Sequence, residues 1–148
     1  MSSNKVSNEE GRKLIAKSIL EKDVCKAITD YLNALRVPYS ITNAEESYDR
    51  NGNRRKRVEE GWPDYIGCYQ GDFIAIEAKR ASGGVLSYKQ AVVLSNLHAQ
   101  GALVCIPRSV DDVIELLRTK RTSQRTKDEI VATLAKGQEL KPKARNRK

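Results

Sequence analysis

The chain has 148 residues, 39% hydrophobic and 31% charged, which suits a single soluble domain with a core of its own. No apolar run approaches the ~18 residues of a membrane span, and the opening MSSNKVSNEEGRK lacks the apolar segment of a signal peptide, so neither a span nor a secretory route is expected. Three cysteines (Cys25, Cys68, Cys105) and a single histidine (His98) exclude a disulfide framework, a zinc knuckle and two-histidine metal chemistry. The two common phosphate loops, G-x-G-x-x-G and G-x-x-x-x-G-K, are absent from the sequence. The cysteines are expected to be reduced core residues of a cytoplasmic protein.

Along the chain, Leu20, Val24, Ile28, Leu32 and Leu35 recur at helical spacing and predict an amphipathic helix to about Arg36, with Ser18-x-x-Glu21 as its capping box. Pro38 to Asn43 reads as a short strand. Ala44–Gly61 is polar and turn-rich, an exposed excursion. Within it Asn51-Gly52 favours a tight turn, so the basic run Arg54, Arg55, Lys56, Arg57 is expected to project from a loop or hairpin. Asp64 to Lys79 contains two β-rich runs around Gln70-Gly71-Asp72, a hairpin. Ser87-x-x-Gln90 opens a helix to about Gln100, stopped by Gly101. Leu103–Ile106 is a strand, Ser109 caps a helix to about Arg118, and Thr126-x-x-Glu129 caps a last one ending before Gly137. The order is αβββαβα without internal repeats. It divides into an N-terminal extension (1–19), a domain over 20–118 and a basic helix and tail over 119–148.

Charge is unevenly placed. Residues 1–117 hold 16 Lys and Arg against 16 Asp and Glu, whereas 118–148 hold 11 against 3, so the whole net charge of +8 lies in the C-terminal segment. Lys141, Lys143, Arg145 and Arg147 in its tail, together with Arg54, Arg55, Lys56 and Arg57, predict a nucleic-acid partner held through its phosphates. The alternative is a solvated tail that aids solubility.

The hairpin brings chemistry together. If its loop is Gln70-Gly71, Asp64 and Glu77 are cross-strand partners with Cβ atoms about 4.5–5.5 Å apart; if it is Gly71-Asp72, they are diagonal neighbours on one face. Glu77 and Lys79, two apart, share that face, while Ile74, Ile76 and Ala78 point to the other. Close carboxylates repel and are tolerated best around a cation, and hard oxygen ligands favour Mg²⁺ or Mn²⁺. Such a site suits phosphoryl hydrolysis, with Lys79 orienting water or stabilising an oxyanion. A surface salt-bridge set is the plainer reading of the same spacing.

Gly61-Trp62-Pro63-Asp64, then Ile76-Glu77-Ala78-Lys79, then Gly83-Gly84-Val85-Leu86-Ser87-Tyr88-Lys89-Gln90 resemble the signature of the virus-type replication-repair nuclease (VRR-NUC) family of the PD-(D/E)xK superfamily. The resemblance runs from about Glu21 to Leu117. It implies a restriction-endonuclease-like αβββαβ core with a mixed sheet flanked by helices. It also implies metal ligation by Asp64, Glu77 and the Ala78 carbonyl with support from Glu21, water positioned by Lys79, and Gln90 near the active centre. The implied activity is Mg²⁺-dependent hydrolysis of DNA, with Mn²⁺ able to substitute. Branched DNA such as four-way junctions is one substrate of single-domain members, which suits a homodimer with paired sites. The family is frequent in bacteriophages, so host cytoplasm is the expected setting of a phage-encoded member.

Several residues carry two readings. Glu21 and Gln90 each follow a serine by three, so each is either a capping partner or a site residue. Trp62 either stacks on a base or packs beside Pro63. Ser82-Gly83-Gly84 is either a mobile loop over the substrate or a connection. His98, in the last turn of its helix, is expected to favour the helix C-terminus rather than to act in catalysis. At the level of the protein, the alternative to a nuclease is a non-catalytic nucleic-acid-binding module on the same fold.

Overall fold

The structure is a computed structural model and describes residues 21–42, 47–48, 50–55 and 58–139. Four helices and six strands lie among them: α1 (Glu21–Ala34), β1 (Tyr39–Ile41), β2 (Ser47–Tyr48), β3 (Arg54–Arg55), β4 (Tyr65–Tyr69), β5 (Asp72–Ile76), α2 (Tyr88–Ala99), β6 (Leu103–Cys105), α3 (Val110–Thr119) and α4 (Gln124–Glu139). The fold is α/β. A four-stranded mixed sheet runs in the order β1-β4-β5-β6, antiparallel except for the parallel pair β5–β6. Among the described residues no helix is long and apolar enough to cross a membrane.

Strand alternation distributes the core over two faces. Tyr65, Ile74, Ile76, Ala78, Leu103 and Cys105 pack against Val24, Ile28 and Leu32 of α1 and Val113, Leu116 and Leu117 of α3. Ala75 and Val104 face the other way, onto Ala91 and Leu94 of α2 and Ile130 of α4. The central strands are therefore covered on both sides, as apolar runs such as Phe-Ile-Ala-Ile require. The outer edge at β6 is closed by a side chain, the Thr122 hydroxyl, which accepts the Val104 N–H at 3.1 Å.

The β4–β5 turn settles the register. Tyr65 opposes Ile76 and Tyr69 opposes Asp72, which makes Gln70-Gly71 the two-residue loop. Both loop residues have positive φ, 49° and 88°, the type I′ geometry that matches the twist of paired strands. The excursion carries its own small hairpin, β2 against β3, closed around Asn51-Gly52. Arg54 and Arg55 form its second strand. Lys56 and Arg57, like Lys141, Lys143, Arg145, Arg147, Ser18 and the N-terminal extension, lie outside the described residues.

Four expectations are corrected. Leu35 is exposed rather than part of the α1 stripe, because α1 ends in a Schellman turn: Arg36 adopts φ 55°, and the Arg36 and Val37 N–H groups return to the carbonyls of Asn33 and Leu32. Val37 takes the core position beyond the turn. Cys68 is exposed, since on β4 it stands opposite Phe73 at the uncovered end of the hairpin; Cys25 is half-buried and only Cys105 is a core residue. Ser109 occupies the N-cap of α3 but makes no side-chain cap bond; the Asp112 carboxylate accepts the Arg108 N–H instead. Finally, α4 is capped by Ser123, whose hydroxyl accepts the Thr126 N–H at 3.2 Å, and the helix continues through Gly137.

Gly137 persists inside a helix because α4 crosses α2 there at close range. A Cβ at this position would lie within the Tyr88 ring. In an isolated helix Gly→Ala stabilises by roughly 1 kcal/mol. Here Gly137→Ala is expected to destabilise by about 1–3 kcal/mol through overpacking. Denaturant unfolding measures the effect, and in a Tyr88→Ala background the sign of the substitution should reverse.

Candidate functional site

Beyond the hairpin's last paired residues, β4 and β5 remain neighbours through side chain-to-backbone bonds. The Asp64 N–H donates to Glu77 Oε2 at 3.0 Å, and the Ala78 N–H donates to Asp64 Oδ2 at 3.0 Å. Each carboxylate is thereby held by the main chain of the opposite strand, in the Gln70-Gly71 register that places Asp64 across from Glu77. The backbone is pinned from outside as well. Thr42 N–H donates to the Asp64 carbonyl at 2.8 Å, and the Glu77 and Lys79 N–H groups donate to the carbonyls of Cys105 and Pro107 at 3.0 Å each. Tyr65, next to Asp64, donates its hydroxyl to the Cys25 carbonyl at 2.9 Å, which ties β4 to α1.

Asp64, Glu77 and Lys79 are only 4%, 1% and 8% exposed, so a surface salt-bridge set is excluded. Lys79 Nζ stands 3.4 Å from Glu77 Oε1 and donates to Gln90 Oε1 at 3.1 Å, while Gln90 Nε2 donates to Glu77 Oε1 at 2.7 Å. The Glu77, Lys79 and Gln90 side chains form one network, joined to Asp64 through the backbone N–H groups of Asp64 and Ala78. Burial pushes the Asp64 carboxyl up to about 6, with the charge of Glu21 adding to it and the Ala78 N–H and Lys79 opposing. Burial and the negative charge of Asp64 push Glu77 up to about 7, against the pull of Lys79.

For Gln90, capping partner and site residue turn out to be the same role. Ser87 and Gln90 form a complete capping box: the Gln90 N–H donates to Ser87 Oγ at 3.1 Å, and the Ser87 N–H donates to Gln90 Oε1 at 2.9 Å. An amide oxygen has two lone pairs and its nitrogen two protons. Oε1 therefore serves the cap and Lys79 together, and Nε2 remains for Glu77. Helix α2 starts where the site needs an amide.

Glu21 is the first residue of α1, half-buried, and its charge reaches Asp64. Trp62 is half-buried beside Pro63, and His98 is exposed in the last turn of α2. The segment before Asp64 lies on the start of α2, with Glu60 and Lys89 paired at 2.6 Å. Thr42 and Tyr65 hold the site without belonging to any motif; only their neighbourhood to predicted strand residues could have pointed to them.

The donor set fits a hard divalent cation: two adjoining carboxylates, desolvated and pushed toward their neutral forms, whose repulsion such an ion would offset. Among the described residues no group of three His, Cys, Asp or Glu side chains could hold a metal. Asp64 and Glu77 are the side chains that could hold such an ion, and the charge of Glu21 reaches Asp64.

The raised carboxyls make a stability prediction. A group whose pKa is higher folded than unfolded contributes stability that is present below the unfolded value, about 4, and lost as pH rises through the folded value. For Asp64 and Glu77 the loss falls between about 4 and 7. In metal-free buffer Asp64→Asn should raise the thermal midpoint at pH 8 by roughly 3–8 °C and change it little near pH 4. Added Mg²⁺ or Mn²⁺ should raise the wild-type midpoint at pH 8 and leave that of Asp64→Asn unmoved. Thermal scans at two pH values, with and without metal, check both.

Compared with protein-family models and with curated proteins, the chain matches none.

Proposed function

We propose that this protein is a metal-dependent DNA endonuclease on a restriction-endonuclease-like αβββαβ core, similar to the VRR-NUC family. The observation that carries this reading is the buried trio Asp64, Glu77 and Lys79 with half-buried Gln90 bridging Lys79 and Glu77. Burying two carboxylates and an ammonium is costly, and a fold keeps such a group most readily where it does chemistry. The mixed sheet with helices on both faces and the hairpin preceding Glu77-Ala78-Lys79 support the same reading.

In this mechanism Asp64, Glu77 and the Ala78 carbonyl would hold the cation, which would supply charge neutralisation at the phosphoryl group and a more acidic water. The backbone N–H groups of Asp64 and Ala78 each hold one oxygen of the opposite carboxylate in place. Lys79 orients the attacking water: of its three donors one goes to Gln90 and one faces Glu77, and the third serves the water or a phosphoryl oxygen. Gln90 keeps the ammonium from collapsing fully onto Glu77 by accepting from one and donating to the other. Arg54 to Arg57 and the Lys141–Arg147 tail provide sequence-independent phosphate affinity. Branched DNA is the favoured substrate, and a homodimer would set two such sites on two strands.

The test is cleavage of end-labelled four-way junction, flap, single-stranded and duplex DNA with Mg²⁺, Mn²⁺ or EDTA. Metal-dependent cutting is expected, reduced at least about 100-fold by Glu77→Ala and by Lys79→Ala, with DNA binding largely retained. Binding that is indifferent to metal, with no cutting of any substrate, would instead establish a non-catalytic nucleic-acid-binding module.

A further inference from the structure

Arg108 lies just past β6, where the strand's continuation runs beside Glu77 and Lys79. Its main chain is fixed by the bond from its N–H to Asp112 Oδ2 at 3.0 Å. Its guanidinium faces the segment that follows Lys79. Nη1 donates to the carbonyls of Arg80 at 3.1 Å and Gly84 at 2.9 Å, and Nη2 donates to Glu129 Oε1 of α4 at 2.7 Å. The Arg108 and Glu129 side chains are 20% and 22% exposed, a sheltered pair rather than a solvated one.

One planar fork thus closes the turn Arg80–Gly84 across both of its ends. The closed turn rests on Lys79: a Cβ on Gly84 would stand 2.9 Å from the Arg80 nitrogen, 3.0 Å from Lys79 Cβ and 3.3 Å from Arg108 Nη1. From Gly84 the chain needs only Val85 and Leu86 to reach Ser87, whose N–H bonds the same Gln90 oxygen that receives Lys79. The segment held by Arg108 therefore has Lys79 at one end and the Gln90 cap at the other. A lysine at 108 would present a single point charge and could not span two carbonyls and a carboxylate in fixed geometry.

We propose that Arg108 is a positioning residue of the site, with Glu129 as its anchor, and that α4 belongs to the active-site apparatus. By closing the Arg80–Gly84 turn, Arg108 sets the separation at which Lys79 and Gln90 share Glu77. The proposal rests on the nuclease reading, which treats that separation as functional.

The experiment uses the full chain and whichever of the four DNA substrates the wild type cuts best in Mg²⁺. Arg108→Ala should lower kcat about 30–100-fold while KM stays within about twofold, the size of effect that a small misplacement of a reacting group produces. Added guanidinium ion should restore part of the lost kcat, and Arg108→Lys should restore little. Glu129→Ala, which keeps Arg108 but loosens it, should cost ~3–10-fold in kcat, whereas Glu129→Gln, retaining an acceptor oxygen, should stay near wild type. Glu129→Ala also decides the matter if Arg108→Ala does not fold. Variants that lose thermal stability yet keep wild-type kcat would reduce the clamp to a structural staple and overturn the proposal. A wild type that cuts none of the substrates would overturn the nuclease reading, and this inference with it.

Discussion

At the open end of the β4–β5 hairpin, two carboxylates face one another and each accepts a hydrogen bond from the backbone of the opposite strand. Asp64 and Glu77 are both desolvated by burial, and the charge of Asp64 raises the proton affinity of Glu77. Such a pair is unfavourable by itself. The surrounding structure compensates for it: the backbone donors, the Lys79 ammonium and the Gln90 amide each satisfy a lone pair or offset a charge, and no buried side-chain polar atom is left without a partner among the described residues.

Placing this pair constrains the rest of the fold. The parallel neighbour β6 must run far enough for Cys105 and Pro107 to accept from Glu77 and Lys79, so the main chain at the site is fixed by ladder bonds beyond the formal strand ends. Helix α2 must begin within reach of Lys79, and its capping box and the polar network have Gln90 in common. One side chain thus serves both the start of the helix and the bridge to Glu77. The same economy holds on the far side, where α4 covers the second core through Ile130 and pairs through Glu129 with Arg108, which bonds the turn after Lys79.

The sheet is covered on both faces around Ile74–Ile76, whereas Cys68 and Phe73 at the distal end of the hairpin stay exposed. The side chains within reach of the carboxylates come from the backbone-bonded extension of β5 and from a helix start, a placement that fixes side chains closely.

Local rules recovered much of this from the sequence. Period-two alternation puts Asp64 and Glu77 on one face whichever two residues form the turn, and the Gln70-Gly71 loop found in the structure then makes them stand opposite each other. Ser87-x-x-Gln90, the Val24–Ile28–Leu32 stripe and the stop before Gly101 were legible for the same reason, since each is decided within one or two turns of chain. What tertiary structure alone decided depends on groups distant in sequence. Leu35 is outside the core because the Schellman turn sends Val37 inward, and Gly137 is helical because Tyr88, far earlier in the chain, occupies the space of its missing side chain. The double role of Gln90 required Lys79 and Glu77 to arrive beside a helix cap, and the role of Arg108 required a turn, a strand end and the last helix to meet at one guanidinium. No periodicity encodes such meetings, because they are set by how the layers pack.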